Sequence, residues 1–357
     1  MKVAIIGAGA IGGYVGVKIA LAGDDVTFIV RGANLEAIRQ NGMKLVMSDG
    51  TEHVAKDVAA TNDYAAAGAQ DIVILAMKAH QVEAVAHDVP KLFGPDTVVV
   101  TMQNGIPYWY FHRHGGVLEG SVVQSVDPHG HITRNIAPER VLGCVVYPAS
   151  ELIAPGIVRH IEGDRFPIGE LDGAATVRAM RVSECFTRAG FKAPVLEDIR
   201  SEIWLKLWGN VTFNPISALT RSTLVDICQY PATRDLAAEM MTEAQTIAHK
   251  LGITFRVGLD KRIAGAEKVG KHKTSMLHDV EAGRPPEIEA LVGSVVELGR
   301  LTDTPTPHID AVYALTKLLG QTIATSRTDA PATRSAPADI PQFANALRTN
   351  TTTFAPV

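Results

Sequence analysis

The sequence has little cysteine and no pattern of metal ligands. Its 357 residues include three cysteines, Cys144, Cys185 and Cys228, which are far apart and form no CxxC or Cys/His motif. This spacing excludes a disulfide framework and favours reduced, buried thiols. We therefore expect a cytoplasmic protein.

The sequence also has fewer basic than acidic residues. The chain has 34 Lys and Arg against 38 Asp and Glu, a formal net charge of −4, and no basic run interleaved with aromatic residues. A protein that binds nucleic acid needs a broad positive surface, so nucleic acid is not an expected partner. An anionic ligand must be bound by a local group of residues.

Long apolar runs are absent except near the start of the chain. Residues 3–22 are apolar behind the single Lys2, which superficially resembles a signal peptide, but they contain five glycines. They also lack the basic n-region and the small-residue cleavage site of an export signal. No other segment approaches the ~20 apolar residues that span a membrane, so we predict no membrane partner.

The apolar residues that are present follow two different periods along the chain. Strand, helix and strand patterns at residues 2–6, 11–22 and 26–30 predict a βαβ unit, and apolar runs at 71–76 and 97–102 continue a parallel sheet. Helical stretches are also expected at 81–93 and 174–189.

From residue 199 onward the spacing of apolar residues is helical nearly throughout. The predicted helices are 199–219, 233–251, 258–270, 287–301 and 308–324. We predict an α/β fold in which a Rossmann-type doubly wound domain (1–194) precedes an all-helical domain (195–325) and a flexible C-terminal tail (326–357).

A glycine-rich motif joins the first predicted strand to the first predicted helix. Gly7, Gly9 and Gly12, with Ala10 and Ile11 between them, form GxGxxG in the position where the motif binds a dinucleotide. The glycines allow a tight turn and close approach of pyrophosphate, while the helix N-terminus supplies N–H groups. The alternative is a glycine-rich turn that binds nothing.

The end of the second predicted strand indicates which dinucleotide is bound. NAD enzymes carry an acidic residue there for the ribose 2′-OH, but this chain has Val30 followed by Arg31. A guanidinium can bind a 2′-phosphate that a carboxylate would repel. The sequence favours NADP(H), unless Arg31 is only a solvated loop residue.

One predicted helix of the second domain carries polar groups in register. Lys206, Asn210 and Asn214 are four residues apart, so they lie on one face of an otherwise apolar helix. Asparagine is unfavourable inside helices, and such departures often mark function. Pro215 is expected to kink or end the helix just beyond them.

Further candidates lie elsewhere in the chain. Asn104 and Lys78 follow predicted parallel strands, at the edge where doubly wound folds bind ligands, although Asn104-Gly105 is also a common turn and Lys78 could be a solvated charge. Ser275 and Glu287 lie either side of a turn. Alternatively, Thr274 or Ser275 caps a helix and Glu287 is a first-turn acid.

In combination these motifs resemble the ketopantoate reductase family. The ordered elements are GAGAIGG at the start, Arg31, MKAHQ with Lys78, QNG at 103–105, the Lys206-xxx-Asn210-xxx-Asn214-Pro helix, SML at 275–277 and PPEIE at 285–289. The resemblance extends from Met1 to about Gln321. It implies reduction of a 2-oxo acid, most simply ketopantoate, with NADPH.

The resemblance also implies roles for individual residues. Lys206 would be the general acid, Glu287 would bond the substrate hydroxyl or Lys206, and Asn104 would help hold substrate and nicotinamide. Substrate-binding and cleft-lining roles would fall to Asn210, Asn214 and Ser275, and to Lys78 beside the cofactor. A homodimer is expected by analogy with the family.

Residues 106–140 depart from the compact family pattern. Their aromatic run, 108–111, could form a lid over a bulkier 2-oxo acid or pack its own rings in an Ω-loop. Histidines at 112, 114, 129 and 131 lack the carboxylate or Cys that would complete a metal site, so no metal is expected. A β-hydroxyacid dehydrogenase and a catalytically silent NADP(H)-sensing module are the alternative functions.

Overall fold

The structure, a computed structural model, describes residues 1–328, so nearly all of the tail expected at 326–357 lies outside the described residues. Strands are concentrated in the first half of the chain. They are β1 (Lys2–Ile6), β2 (Asp25–Ile29), β3 (Met43–Val46), β4 (Glu52–Ala55), β5 (Ala59–Thr61), β6 (Gln70–Leu75), β7 (Phe93–Thr101), β8 (Val141–Cys144), β9 (Ala149–Ala154), β10 (Ile157–Glu162) and β11 (Ile168–Gly169).

Helices surround the strands and then make up the second half of the described chain. They are α1 (Ala10–Leu21), α2 (Ala33–Asn41), α3 (Tyr64–Ala67), α4 (Ala79–Val82), α5 (His131–Asn135), α6 (Val177–Arg188), α7 (Ile199–Thr220), α8 (Leu224–Gln229), α9 (Pro231–Lys250), α10 (Leu259–Val269), α11 (Ser275–Glu281), α12 (Ser294–Leu301) and α13 (Pro307–Thr328).

The main sheet has the doubly wound topology. Its strand order is β11-β8-β7-β6-β1-β2-β5, and all pairings are parallel except that of β11 with β8. The strand order reverses direction between β1 and β6, so the crevice at their carboxyl ends is the expected ligand position. This arrangement and the helical second half confirm the predicted fold class.

A second, four-stranded sheet was not predicted. Its order is β4-β3-β10-β9, and it packs on α1 where Gly13 leaves room: a Cβ there would lie 2.3 Å from Cε of Met43. Strands β3 and β4 have four residues each, too few for their alternation to stand out in the sequence.

Three helix predictions need correction. The stretch 81–93 is not one helix but α4 followed by 3₁₀ turns at 83–85 and 89–92, because Pro90 interrupts helical bonding. Of the two outcomes expected at Pro215, an end of the helix is wrong: α7 continues to Thr220, since the helix is buried along most of its length and packing outweighs one lost bond. The helix expected at 287–301 begins as a π-turn at 289–293.

The helical domain is built around α7, which packs against α9, α11 and α13. Its core also includes side chains from the segment 106–140, because Tyr110 and Phe111 are fully buried there. Trp204 Nε1 donates a hydrogen bond to the Tyr110 hydroxyl over 2.7 Å. The aromatic run is therefore buried in the protein core, which favours the packing interpretation over a lid.

Candidate active site

The turn between β1 and α1 has the shape that a pyrophosphate requires. Gly7 has φ +96°, a conformation that suits glycine, and a Cβ at Gly12 would lie 1.9 Å from the Gly7 carbonyl oxygen. A Cβ at Gly9, by contrast, would meet no atom within 4 Å, so open space lies before the N-terminus of α1. These observations fit a bound dinucleotide, whose phosphates the N–H groups of Ala10 and Ile11 would meet.

Asn34 holds this turn in place, a role that the sequence did not reveal. Its Nδ2 donates to the Ala8 carbonyl over 2.7 Å, and its Oδ1 accepts from the Gly156 N–H over 2.6 Å. The glycine-rich turn is thereby connected to the loop between β9 and β10. Ser150 Oγ adds a bond to the Ala10 carbonyl.

Arg31 stands just after β2, at the same edge of the sheet. Its side chain is exposed and makes no hydrogen bond or ion pair with the residues that the structure describes. Burial raises the pKa of Tyr64 to about 12, and the positive charge of Arg31 acts in the opposite direction. The guanidinium is thus available to an anionic ligand at this edge.

Lys206 projects from α7 toward the carboxyl ends of β7 and β8. Its Nζ donates to Asn104 Oδ1 over 2.6 Å and to the Val146 carbonyl, and it lies 5.9 Å from the centroid of the Tyr147 ring. Burial lowers the pKa of Lys206 to about 8, against which Cys144 and Glu287 act in the opposite direction. The structure therefore joins Lys206 and Asn104, which the sequence predicted independently.

Asn210 follows Lys206 by one helical turn and lines the same cavity. The cavity wall includes Asn104, Trp109, Lys206 and Asn210. Asn214, one further turn along, is buried outside that wall. Neither Asn210 nor Asn214 has a side-chain hydrogen bond to any described residue, so both amides are free to bind substrate.

A second set of predicted residues meets where the two domains face each other. Glu287 Oε1 accepts from the Ala79 N–H over 2.6 Å, and the Lys78 Nζ lies 2.5 Å from Asp279 Oδ2. Burial raises the pKa of Glu287 to about 7. Glu287 and Lys206 are not hydrogen-bonded to each other, although each influences the other's pKa.

Ser275 is the predicted site residue with the least structural support. It is exposed and begins α11, whereas the neighbouring Thr274 is the N-cap, with its hydroxyl accepting from the Leu277 N–H. The capping interpretation of this pair is therefore confirmed for Thr274. Ser275 does not line the cavity around Lys206.

The QNG segment is fixed by contacts with both domains. Gln103 Nε2 donates to the carbonyls of Leu75 and Met77, and the Ile106 N–H donates to the Ala290 carbonyl over 3.0 Å. A Cβ at Gly105 would lie 2.0 Å from that same carbonyl oxygen, so glycine permits the contact. Asn104 is thereby held between the sheet and the π-turn of the helical domain.

The sequence also missed a cluster of charged residues behind Lys206. Glu202, one turn before Lys206, is buried and accepts from the Tyr147 hydroxyl over 2.8 Å, from Arg165 over 2.5 Å and from Arg256 over 2.7 Å. It thereby fixes Tyr147, whose ring lies beside the Lys206 ammonium. The i, i+4 spacing of Glu202 and Lys206 was the available signal.

Other predictions concern metals, thiols and membranes. All three cysteines are buried and free, as predicted. Within the described range there is no cluster of His, Cys, Asp and Glu that could hold a metal ion. No helix in residues 1–328 combines the length and the apolarity needed to cross a membrane.

Comparison with known proteins gives the family. A model described as Ketopantoate reductase PanE/ApbA matches residues 3–173, and the model of its C-terminal part matches residues 198–320. The 2-dehydropantoate 2-reductase of Mesorhizobium japonicum is 55% identical over 320 residues, which are 89% of this chain and 98% of the relative. The chain belongs to the ketopantoate reductase family. This membership confirms the resemblance and favours neither the β-hydroxyacid dehydrogenases nor a non-enzymatic module.

Solved structures agree with membership of the ketopantoate reductase family. A candidate ketopantoate reductase from Ralstonia solanacearum MolK2 has a TM-score of 0.86 and 42% identity, covering 90% of this chain and 98% of that one. The ternary structure of D-mandelate dehydrogenase with NADH and anilino(oxo)acetate shares the fold, with a TM-score of 0.77, 21% identity and coverage of 91% and 99%. The chain is therefore a nicotinamide-dependent oxidoreductase acting on CH–OH groups.

Proposed function

We propose that this protein reduces ketopantoate to pantoate with NADPH and that Lys206 is the general acid. NADPH, when bound, supplies the hydride that reduces the carbonyl carbon. The Lys206 ammonium donates the proton to the carbonyl oxygen, so the ketone becomes a hydroxyl group. The hydrogen bond of 2.6 Å between Lys206 and Asn104 carries this proposal, because it positions the ammonium at the ligand-binding edge of the sheet.

The electrostatic environment of Lys206 supports its role as acid. With a pKa of about 8, Lys206 is protonated in most molecules at neutral pH. It is nevertheless a stronger acid than free lysine, whose pKa is ~10.4. Asn104 orients the ammonium, and the free amides of Asn210 and Asn214 are suited to the substrate's hydroxyl and carboxylate groups. Glu287 lies at the domain interface, and its carboxylate acts to raise the pKa of Lys206.

The preference for NADPH is a separate part of the proposal. It is supported by the exposed guanidinium of Arg31, which follows β2 where NAD enzymes place a carboxylate. Lys78 would lie beside the cofactor and Ser275 near the substrate. A cytoplasmic location and a homodimer remain predictions from the sequence.

The proposed function is tested by measuring NADPH oxidation with a panel of 2-oxo acids. Ketopantoate should give the highest kcat/KM among ketopantoate, branched and aryl 2-oxo acids. A clear preference for an aryl acid would replace ketopantoate as the substrate. Failure to reduce any member of the panel would overturn the proposal.

Lys206→Met tests the proton donor within the same assay. Loss of a general acid lowers turnover by at least about 100-fold, while NADPH binding, followed by its fluorescence, should remain nearly intact. Lys268→Met, which removes an exposed lysine of α10, is the matched control and should keep the parent rate. Retained turnover in Lys206→Met would refute the assignment.

A further inference from the structure

Arg262, on α10, is a charged side chain without a counter-ion. Its Nε is sealed from solvent and has no hydrogen-bond partner, and no carboxylate among the described residues pairs with the guanidinium. Burial lowers the pKa of Arg262 below its ordinary value. A buried charge with no partner is costly, so an anionic ligand would relieve the cost.

The guanidinium lies against α7 beside the site of Lys206. A Cβ at Gly209 would be 2.5 Å from Arg262 Nη2, so the guanidinium occupies space that only glycine leaves open. Gly209 follows Lys206 by three residues, and residues with this spacing are neighbours on a helix surface. Arg262 therefore reaches α7 one turn from the proposed proton donor.

Tyr147 connects the two cations. Its ring centroid is 5.9 Å from Lys206 Nζ, and it is close enough to Arg262 to influence the pKa of the guanidinium. Lys206, Tyr147 and Arg262 therefore surround the same part of α7.

Two other arginines near this site are already neutralised. Arg165 and Arg256 both pair with Glu202, at 2.5 Å and 2.7 Å. Arg262 makes no such pair with any residue in 1–328, so its guanidinium remains available to an incoming anion. A 2-oxo acid carries a carboxylate directly bonded to its carbonyl carbon, so a cation that binds the carboxylate has to lie near the proton donor.

We propose that Arg262 binds the carboxylate of the 2-oxo acid and thereby determines specificity for acids, while Gly209 makes room for its guanidinium. The inference rests on the proposed function, because it assigns the substrate's carboxylate within the same site. Arg262 orients the substrate so that the carbonyl oxygen faces the Lys206 ammonium. A guanidinium can donate parallel hydrogen bonds to both carboxylate oxygens.

The test compares ketopantoate with its primary amide, which keeps the carbonyl but lacks the negative charge. In Arg262→Met, kcat/KM for the acid should fall about 10- to 100-fold, the range for losing a charged hydrogen bond, while kcat/KM for the amide changes little. The ratio of kcat/KM for the acid to kcat/KM for the amide should therefore fall about 10- to 100-fold. A merely structural role would lower both values together and leave the ratio unchanged.

Three further variants make the result independent of folding defects. Arg262→Lys keeps the charge and should recover part of the acid preference, whereas Gly209→Ala displaces the guanidinium and should reduce it. Lys261→Met removes an exposed neighbouring charge on α10 and should keep the parent ratio. Parent activity with an unchanged ratio in Arg262→Met overturns this assignment alone. Absence of 2-oxo acid reduction by the parent protein overturns the proposed function and this assignment with it.

Discussion

At the scale of single residues, the proton affinity of Lys206 decides when the site can work. Burial removes water from the ammonium and lowers its pKa to about 8, and the hydrogen bonds to Asn104 and Val146 still hold the charged form. The protonated form is the one that can donate. Activity therefore depends on a group that loses its proton only slightly above neutral pH.

This dependence gives a definite pH profile. The value of kcat/KM for ketopantoate should be constant on the acid side of pH 8 as far as Lys206 is concerned, and should fall about tenfold per pH unit above the pKa of about 8. Steady-state rates measured in a constant-ionic-strength buffer series would show it. A profile that stays flat well above that pKa would contradict Lys206 as the acid.

Arg31 makes the second prediction at this scale. Arg31→Ala should raise the KM for NADPH by about 10- to 100-fold and leave the KM for NADH nearly unchanged, since only NADPH carries the 2′-phosphate. Arg39→Ala is a suitable comparison, because Arg39 is an exposed arginine of α2 that bonds the Ala60 carbonyl. Equal effects of Arg31→Ala on both cofactors would show that the guanidinium does not recognise the phosphate.

Residues that break local rules were the ones that the sequence could identify. Lys206 and Asn210 oppose the apolar character of their helix, and Asn104 follows a parallel strand, so each left a signal in the sequence. Tyr147 and Arg262 left none, since a tyrosine after a strand and an arginine on an amphipathic helix are both ordinary. Their importance arises from tertiary contacts with α7 that no spacing rule contains.

At the scale of elements, two glycines at the junction of β1 and α1 are expected to have different roles. Gly12 is needed for packing, and Gly9 leaves space for the cofactor. Gly12→Ala should destabilise the fold by at least about 2 kcal/mol, because its Cβ would lie 1.9 Å from the Gly7 carbonyl oxygen and backbone cannot yield cheaply. Gly9→Ala should change stability by less than about 0.5 kcal/mol, because its Cβ would meet open space.

Both glycine variants can be compared by urea unfolding and NADPH titration. Gly9→Ala should keep the parent midpoint of unfolding while weakening NADPH binding, because its methyl group occupies the space proposed for pyrophosphate. Unchanged NADPH affinity in Gly9→Ala would place the cofactor elsewhere. A Gly12→Ala variant of parent stability would mean that α1 can shift along β1 without cost.

The length of an element decides whether the spacing of its apolar residues can predict it. The βαβ unit and the long helix α7 are long enough for their apolar spacing to predict them, but the four-residue strands β3 and β4 are not. Proline is a local signal, but α7 continues past Pro215 because most of its residues are buried. The π-turn at 289–293 contacts the end of the QNG segment, which lies far away in the sequence.

At the scale of the whole molecule, the two domains are joined around the site. The Ile106 N–H bonds the Ala290 carbonyl, the Ala79 N–H bonds Glu287, and Lys78 pairs with Asp279. In each contact, one partner lies at the carboxyl edge of the sheet and the other lies in the helical domain. The crevice that would hold cofactor and substrate is therefore bounded by the contacts that hold the domains together.

The contribution of the Lys78–Asp279 pair can be measured by a double-mutant cycle. Lys78→Met and Asp279→Asn should each lower the free energy of unfolding, and the double variant should lose less than their sum, by about 0.5–1 kcal/mol for a pair that is partly exposed. High salt should shrink this coupling. Arg284→Met provides the control, because Arg284 pairs with the same carboxylate over 3.0 Å but belongs to the same domain. Strict additivity of Lys78→Met and Asp279→Asn at low salt would mean that the ion pair does not join the domains in solution, and that the other contacts between the domains hold the crevice.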